Sequence, residues 1–354
     1  MGRVSCLDGL RGLAVAFVVV SHLSQLRVPL FPGLDLAGSG FYGVCLFFTL
    51  SAYLLTSLLL KNSPDALHSA EVWTQYFKRR FFRIYPLYSV VLLATCLASF
   101  LGADFVDRLT FDSVVDHLML RAGVGVFWTI PIECYFYALL PLIVLAGAAL
   151  PHRPAILVAA AALLIGLVSG IKSFFPSTFP AELWRTLPAF LGGVFAAWAH
   201  DSIETMLGPL SSRARTAVEG AGWLAMAIVL LHIPSVWSWV TGEEVLHNRF
   251  FAEPGRFGAL WTVCLIAAMH GEGTMRRVLS LAPLRFLGAI SFGVYLLHFP
   301  IVKLGSRHLT SSPTLAGWLA VAATLTLAAA TYFAIEKPFM KLGRTPASKR
   351  KVEA

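Results

Sequence analysis

An all-α, polytopic membrane bundle is the fold class this sequence predicts, with about ten transmembrane helices and both termini in the cytoplasm. Three observations carry that expectation. The first is composition: 57% of the 354 residues are hydrophobic and 13% are charged, where a soluble domain carries roughly a quarter charged residues. A water-soluble fold of this size would leave much of that apolar surface wet, whereas lipid solvates the outside of a bundle. The second is length. Apolar runs recur at the span a bilayer requires, about 20 residues at roughly 1.5 Å of rise each, and together they take up most of the chain. The third is charge placement. With the N-terminus inside, 19 of the 28 Lys and Arg fall on inner segments and nine on outer ones. That bias orients membrane proteins, places both termini in the cytoplasm and requires an even number of spans.

Taken in order, the runs cover residues 10–26, 40–60, 84–102, 128–150, 154–172, 183–200, 219–240, 256–270, 286–305 and 314–335. Each must be helical in lipid, because backbone groups there find partners only within their own segment. The first run resembles a signal sequence, with Arg3 ahead of an apolar stretch from Leu13 to Val20. Arg11 and His22 flank that stretch closely and no small-residue cleavage site follows, so it is expected to be retained as a helix. The third run begins behind the basic cluster Lys78-Arg79-Arg80-Phe81-Phe82-Arg83, and the fourth carries Glu133. The seventh has Pro234 near its end, and the eighth is short. The ninth contains His298, and the tenth ends at Glu336. Polar, Pro-rich or Gly-rich linkers separate several runs, among them Asn62-Ser63-Pro64-Asp65, Gly208-Pro209 and Gly271-Glu272-Gly273. No repeat of roughly 20–50 residues is visible. Residues 1–345 therefore read as one membrane domain and residues 346–354 as a basic cytoplasmic tail. Cys6, Cys45, Cys96, Cys134 and Cys264 are too dispersed for a metal clip and read as free thiols packed among helices. The net charge of +9 sits mostly at span ends, so it reads as a topology signal and not as a nucleic-acid footprint.

Ionisable side chains inside apolar spans are costly and usually face a bundle interior or a wet cavity. Arg11 and His22 are eleven residues apart, which returns a helix to about the same face roughly 16 Å higher. Both could look into one cavity at different depths, or Arg11 could snorkel while His22 makes a satisfied helix contact. Arg80 and Arg83, three apart, share a helix face at the inner mouth of the third span. They are open between a topology anchor and a site for a phosphorylated cytoplasmic ligand, which planar guanidinium forks suit. Glu133 and His298 are both expected in the outer half, each readable as a structural contact or as a functional group. Arg11, Arg80, Arg83, Arg285 and Glu336 then gather near the inner face, and His22, Glu133 and His298 gather in the outer half. The inner set suits phosphates. The outer set offers general-base chemistry, with a histidine as base and a carboxylate to orient it or balance its charge.

The same segments resemble the acyltransferase family 3 of polytopic membrane proteins over about residues 5–340. Leu7-Asp8-Gly9-Leu10-Arg11-Gly12 with His22 is similar to the family's first helix, and Gly43-Val44-Cys45-Leu46-Phe47-Phe48-Thr49-Leu50-Ser51-Ala52 to its second. Arg80-Phe81-Phe82-Arg83-Ile84-Tyr85-Pro86 is similar to its basic signature, and Trp128 to Glu133 with Phe136-Tyr137 to its Trp-Ser-Leu-x-x-Glu segment. Tyr295 to Pro300 and Glu336-Lys337-Pro338-Phe339 resemble its last two helices. Cys45, Ala52 and Thr129 stand where the family usually has Asp, Gly and Ser. The sequence shows no appended hydrolase-like domain of the kind some relatives carry, so either a separate partner finishes the transfer or the membrane domain acts alone.

The resemblance implies transfer of an acyl group, often acetyl, from acyl-coenzyme A to a hydroxyl. Acceptors in the family are commonly sugars of surface polysaccharide, lipopolysaccharide or peptidoglycan, and in some members macrolides or other small molecules. Acyl-coenzyme A is then a co-substrate, and neither a tightly bound cofactor nor a metal is expected. Arg80 and Arg83, with Arg11, are the expected phosphate contacts. His22 would deprotonate the acceptor hydroxyl or carry the acyl group itself, and Glu133 would orient His22 or offset its charge. His298 is the second candidate base, and Trp128 and Tyr137 are candidate walls of the acceptor pocket. The expected partners are acyl-coenzyme A, a hydroxyl-bearing glycan or glycolipid, the bilayer and, as an open option, a second copy of the chain. The expected location is the bacterial plasma membrane. The competing classes are a secondary transporter or flippase for an anionic glycolipid, which would use the same Arg and His residues, and a non-catalytic scaffold, which would leave them without a purpose.

Overall fold

A computed structural model describes residues 5–63, 65–103, 105–148, 181–204, 210–243, 253–309 and 311–344. Among these residues the chain is all-helical. Its helices are α1 (Ser5–Gln25), α2 (Gly40–Leu59), α3 (Ala70–Phe100), α4 (Phe111–Leu118), α5 (Thr129–Ala148), α6 (Ala181–Ser202) and α7 (Ser212–Leu231). They continue with α8 (Pro234–Thr241), α9 (Pro254–His270), α10 (Thr274–Leu279), α11 (Ala282–Ala289), α12 (Ser291–His308), α13 (Pro313–Thr331) and α14 (Lys337–Leu342). Among the described residues, six helical stretches are long and apolar enough to cross a membrane, or seven if α11 and α12, bent by 79°, form one span. The expected run at 154–172 lies outside the described residues. Of the other expected spans, α6 is 22 residues long but carries Glu182, Arg185 and Asp201, and α9 has 17 residues. The run expected at 219–240 divides at Pro234, which opens α8 as a separate helix.

Burial separates inner from outer helices. In the apolar stretch of α2, 78% of residues are buried in protein, against 22% in α7 and 17% in the α13–α14 stretch. The outer helices leave side chains such as Leu224, Leu319 and Leu327 exposed, as a lipid-facing surface requires. Small residues bring the inner helices together. A Cβ on Gly12 would fall on the Leu284 carbonyl, and one on Gly288 would fall on the Asp8 carbonyl. The backbones of α1 and α11 therefore touch directly, close packing that small residues permit inside membranes. This contact fixes the height of Arg11, which sits between Asp8 and Gly12.

Helix α3 is longer than its apolar run. It starts at Ala70, capped by the Ser69 hydroxyl accepting from the Glu71 amide at 3.2 Å, and runs for 31 residues. That is roughly 46 Å of helix against about 30 Å of hydrocarbon. The basic cluster is consequently part of the same rigid helix as the span and not a linker ahead of it. At the C-terminal end of α13 the chain makes a π-helical turn, Tyr332–Glu336, before α14. Such turns recur at functional positions, and this one brings Glu336 to α3.

Candidate active site

α1 and α12 bring His22 and His298 together. His22 Nδ1 lies 2.7 Å from His298 Nε2, and the rings are 5.0 Å apart at 17°. His298 is wholly buried, and its Nδ1 lies 2.7 Å from the Tyr295 carbonyl and 3.0 Å from that of Val294. His22 is half-buried, and the edge of Phe299 closes against it at 5.1 Å.

The arginines build a different space. A small chamber of about 60 Å³ is lined by Arg11, Ser51, Arg80, Glu133, Tyr137 and Tyr295, with Arg83 at its wall. Ser51 donates to Glu133 Oε1 at 2.6 Å, and the Tyr137 hydroxyl donates to the same oxygen. The Arg80 guanidinium lies 5.9 Å from the Tyr137 ring centroid, and Tyr76 donates to the Tyr137 carbonyl at 3.1 Å. Together these contacts hold α3 against α5. Arg80 Nε has no hydrogen-bond partner among the described residues. Arg83 is engaged: it pairs with Glu336 at 3.2 Å, and the Glu336 side chain is only 1% exposed. The chamber opens into a vestibule of about 880 Å³ that shares Arg11, Ser51, Arg80 and Arg83 with it. Lys61, Lys337, Lys341 and Arg344 add positive charge to the vestibule, partly offset by Asp8, Asp201 and Glu204.

Glu133 therefore does not sit with the histidines in a separate outer layer. It is placed among the arginines, and its described hydrogen bonds go to Ser51 and Tyr137. The cause is the depth at which α5 begins. Tyr295, the fifth residue of α12, donates to the Val126 carbonyl at 2.8 Å and accepts from the Thr129 hydroxyl at 3.0 Å. The start of α5 is thereby pinned beside the N-terminal turns of α12. The side-chain hydrogen bond His22 makes is with His298. Arg285 is exposed on α11 and lines neither space, and Trp128 packs edge-on against Phe48 at 6.3 Å without lining the chamber. Ser51 and Tyr295 went unremarked in the sequence as site residues, because a hydroxyl in an apolar run leaves no signature until its partner is known. Tyr295 stands next to both groups of residues: it lines the chamber, and its ring is 6.0 Å from that of His298.

The profile of an acyltransferase domain, acyltransferase 3, matches residues 4–333. The chain belongs to the acyltransferase 3 family. It is a multi-pass membrane protein, as the family's members are. It is 26% identical, over 96% of its length, to the peptidoglycan O-acetyltransferase OatA of Listeria monocytogenes. It is likewise 26% identical, over 97% of its length, to YrhL of Bacillus subtilis, which carries the same assignment provisionally. The chain spans 56% of the length of each of these relatives. No solved structure matches it. Two departures from the acyltransferase 3 pattern find an explanation in the packing. Thr129 keeps the hydroxyl that the usual Ser would offer to Tyr295. Ala52 is wholly buried where the pattern has Gly, and Gly193 of α6 stands opposite, where a Cβ would come within 2.9 Å of the Ala52 methyl. The space a glycine leaves has moved to the facing helix. Cys45 is wholly buried, and nothing in the structure explains the loss of the usual acidic residue there.

Proposed function

We propose that the chain is the membrane domain of an O-acyltransferase that moves an acyl group, acetyl above all, from cytoplasmic acyl-coenzyme A to a hydroxyl of a glycan or glycolipid. The names of the relatives make peptidoglycan the first acceptor to try. The observation that carries this reading is a basic vestibule wide enough for a nucleotide that shares Arg11, Arg80 and Arg83 with a chamber, one of whose lining side chains, Tyr295, has its ring 6.0 Å from that of His298.

In this reading Arg80 and Arg11 take the donor's phosphates, since guanidinium groups donate in planar forks. Arg83 is held by Glu336 and sets the wall. The pantetheine arm enters the chamber, and Glu133, fixed by Ser51 and Tyr137, balances the arginine charge at its head. The acceptor hydroxyl gives its proton to His22 as its oxygen bonds the thioester carbonyl carbon. The C–S bond then breaks, and the leaving thiolate takes the proton back from His22. The products are an ester and free coenzyme A thiol, with no net proton released.

Thiol release by purified protein tests this, with acetyl-coenzyme A as donor and a peptidoglycan or glycolipid extract as acceptor. The reading predicts release that needs both the extract and His22, and that His22→Ala loses by about 100-fold or more, the usual range for a general base. Absence of release from folded wild-type protein across several donors and extracts would contradict it and favour transport of an anionic glycolipid.

A further inference from the structure

The structure assigns His298 as a positioning residue that holds His22 in the tautomer with a bare Nε2. The inference rests on the proposed transfer only for its consequence; its basis is the hydrogen-bond chain. His298 Nδ1 faces two backbone carbonyls, Tyr295 at 2.7 Å and Val294 at 3.0 Å. A carbonyl oxygen only accepts, so Nδ1 of His298 carries a hydrogen. The ring is wholly buried, and among the described residues no carboxylate is hydrogen-bonded to it. An unpaired charge there would be costly, so the ring is neutral and carries that one hydrogen. Its Nε2 is then a lone pair and can only accept. The atom 2.7 Å away is His22 Nδ1, which must donate. A neutral His22 that donates from Nδ1 has no hydrogen on Nε2.

Two consequences follow. Nε2 of His22 is the atom that takes the acceptor's proton, and with that proton aboard, the Nδ1–H bond to His298 becomes charge-assisted and stronger. His298 thus supports the protonated ring as an orienting carboxylate would, but through a neutral lone pair backed by main-chain carbonyls. Its own nitrogens are both engaged, one by carbonyls and one by His22, so it is not the second base that its sequence position suggested.

The direct test is nitrogen NMR on protein labelled with ¹⁵N-histidine and reconstituted in lipid bilayers, with His22→Gln and His298→Gln to assign the signals. The expected result is a coupling across the hydrogen bond between His22 Nδ1 and His298 Nε2, and a His22 Nε2 signal typical of a bare ring nitrogen. A hydrogen on His22 Nε2 would overturn the assignment. Kinetics supply the second arm. His298→Ala is expected to lower kcat by about 100-fold, within the range of general-base effects, while KM for acetyl-coenzyme A stays within about twofold, since uniform substrate binding is untouched. His298→Gln, whose amide oxygen can accept from Nδ1–H, recovers part of the loss. In a His22→Ala background the His298→Ala change costs nothing further. A further loss there would mean that His298 acts on its own and would sink the proposal. The expected spectrum together with a wild-type protein that turns over no acyl donor would leave the positioning intact and refute the transferase.

Discussion

Arg80 and Arg83 lie on one face of α3, yet their neighbours give them different work. Arg83 is paired with a buried Glu336, and breaking a buried pair by removing one partner costs about 3–5 kcal/mol, because the other charge is left stranded. Arg83→Ala should therefore show first as a lower melting temperature in detergent. Arg80 has a free Nε and faces both chamber and vestibule. Arg80→Ala should lower the melting temperature less than Arg83→Ala does and raise KM for acyl-coenzyme A by roughly 10- to 100-fold, the worth of about 1.5–3 kcal/mol in hydrogen bonds to a charged group. Equal KM effects from both variants, with unchanged melting, would show that the division is wrong. The arginines themselves were legible in the sequence, since charge inside a membrane is rare enough to be conspicuous. Their division was not, because it depends on a π-helical turn about 250 residues away in sequence, which brings Glu336 under α3. Glu133 divides likewise. It stood out as a lone carboxylate, and its partner Tyr137, four residues on in α5, follows from helix spacing, but its partner Ser51 depends on the rotation of α2.

At the scale of elements, α1 is the reference rod for the site. It carries Arg11 and His22 on one rigid helix, and its height is set by backbone contact with α11 around Gly12 and Gly288. Gly12→Ala should push the two helices apart at a cost of about 1–3 kcal/mol, as overpacking does, and displace Arg11 and His22 together. Gly220→Ala on the lipid-facing α7 is the matched control. Nothing lies within 4 Å of a Cβ there, and alanine is the better helix former by about 1 kcal/mol, so melting should be unchanged or raised. The apolar runs announced most of these elements, because a long stretch in lipid has no structure open to it but a helix. Where run and helix part company, a local cause is visible. Pro234 opens a new helix, a serine cap starts α3 well before its apolar portion, and a sharp bend separates α11 from α12.

At the scale of the whole molecule, the charge bias and the vestibule make one joint prediction about sidedness. Lys61, Lys341 and Arg344 line the vestibule, and all three belong to segments that the positive-charge bias places inside. Single cysteines at Asn62 and Arg344, in a cysteine-depleted background, should react with an impermeant thiol reagent from the cytoplasmic side. Cysteines at Arg121 and Ser312 should react from the other side. The measurement that bears most directly on the account joins this topology to the chemistry. Protein of known orientation is sealed into liposomes with a glycolipid acceptor, and acetyl-coenzyme A is supplied to one side at a time. Thiol release is expected only when the donor is on the side where residue 344 is labelled, and its loss is expected in His22→Ala. Turnover from the opposite side, or equally from both, would contradict a donor path through the basic vestibule to His22.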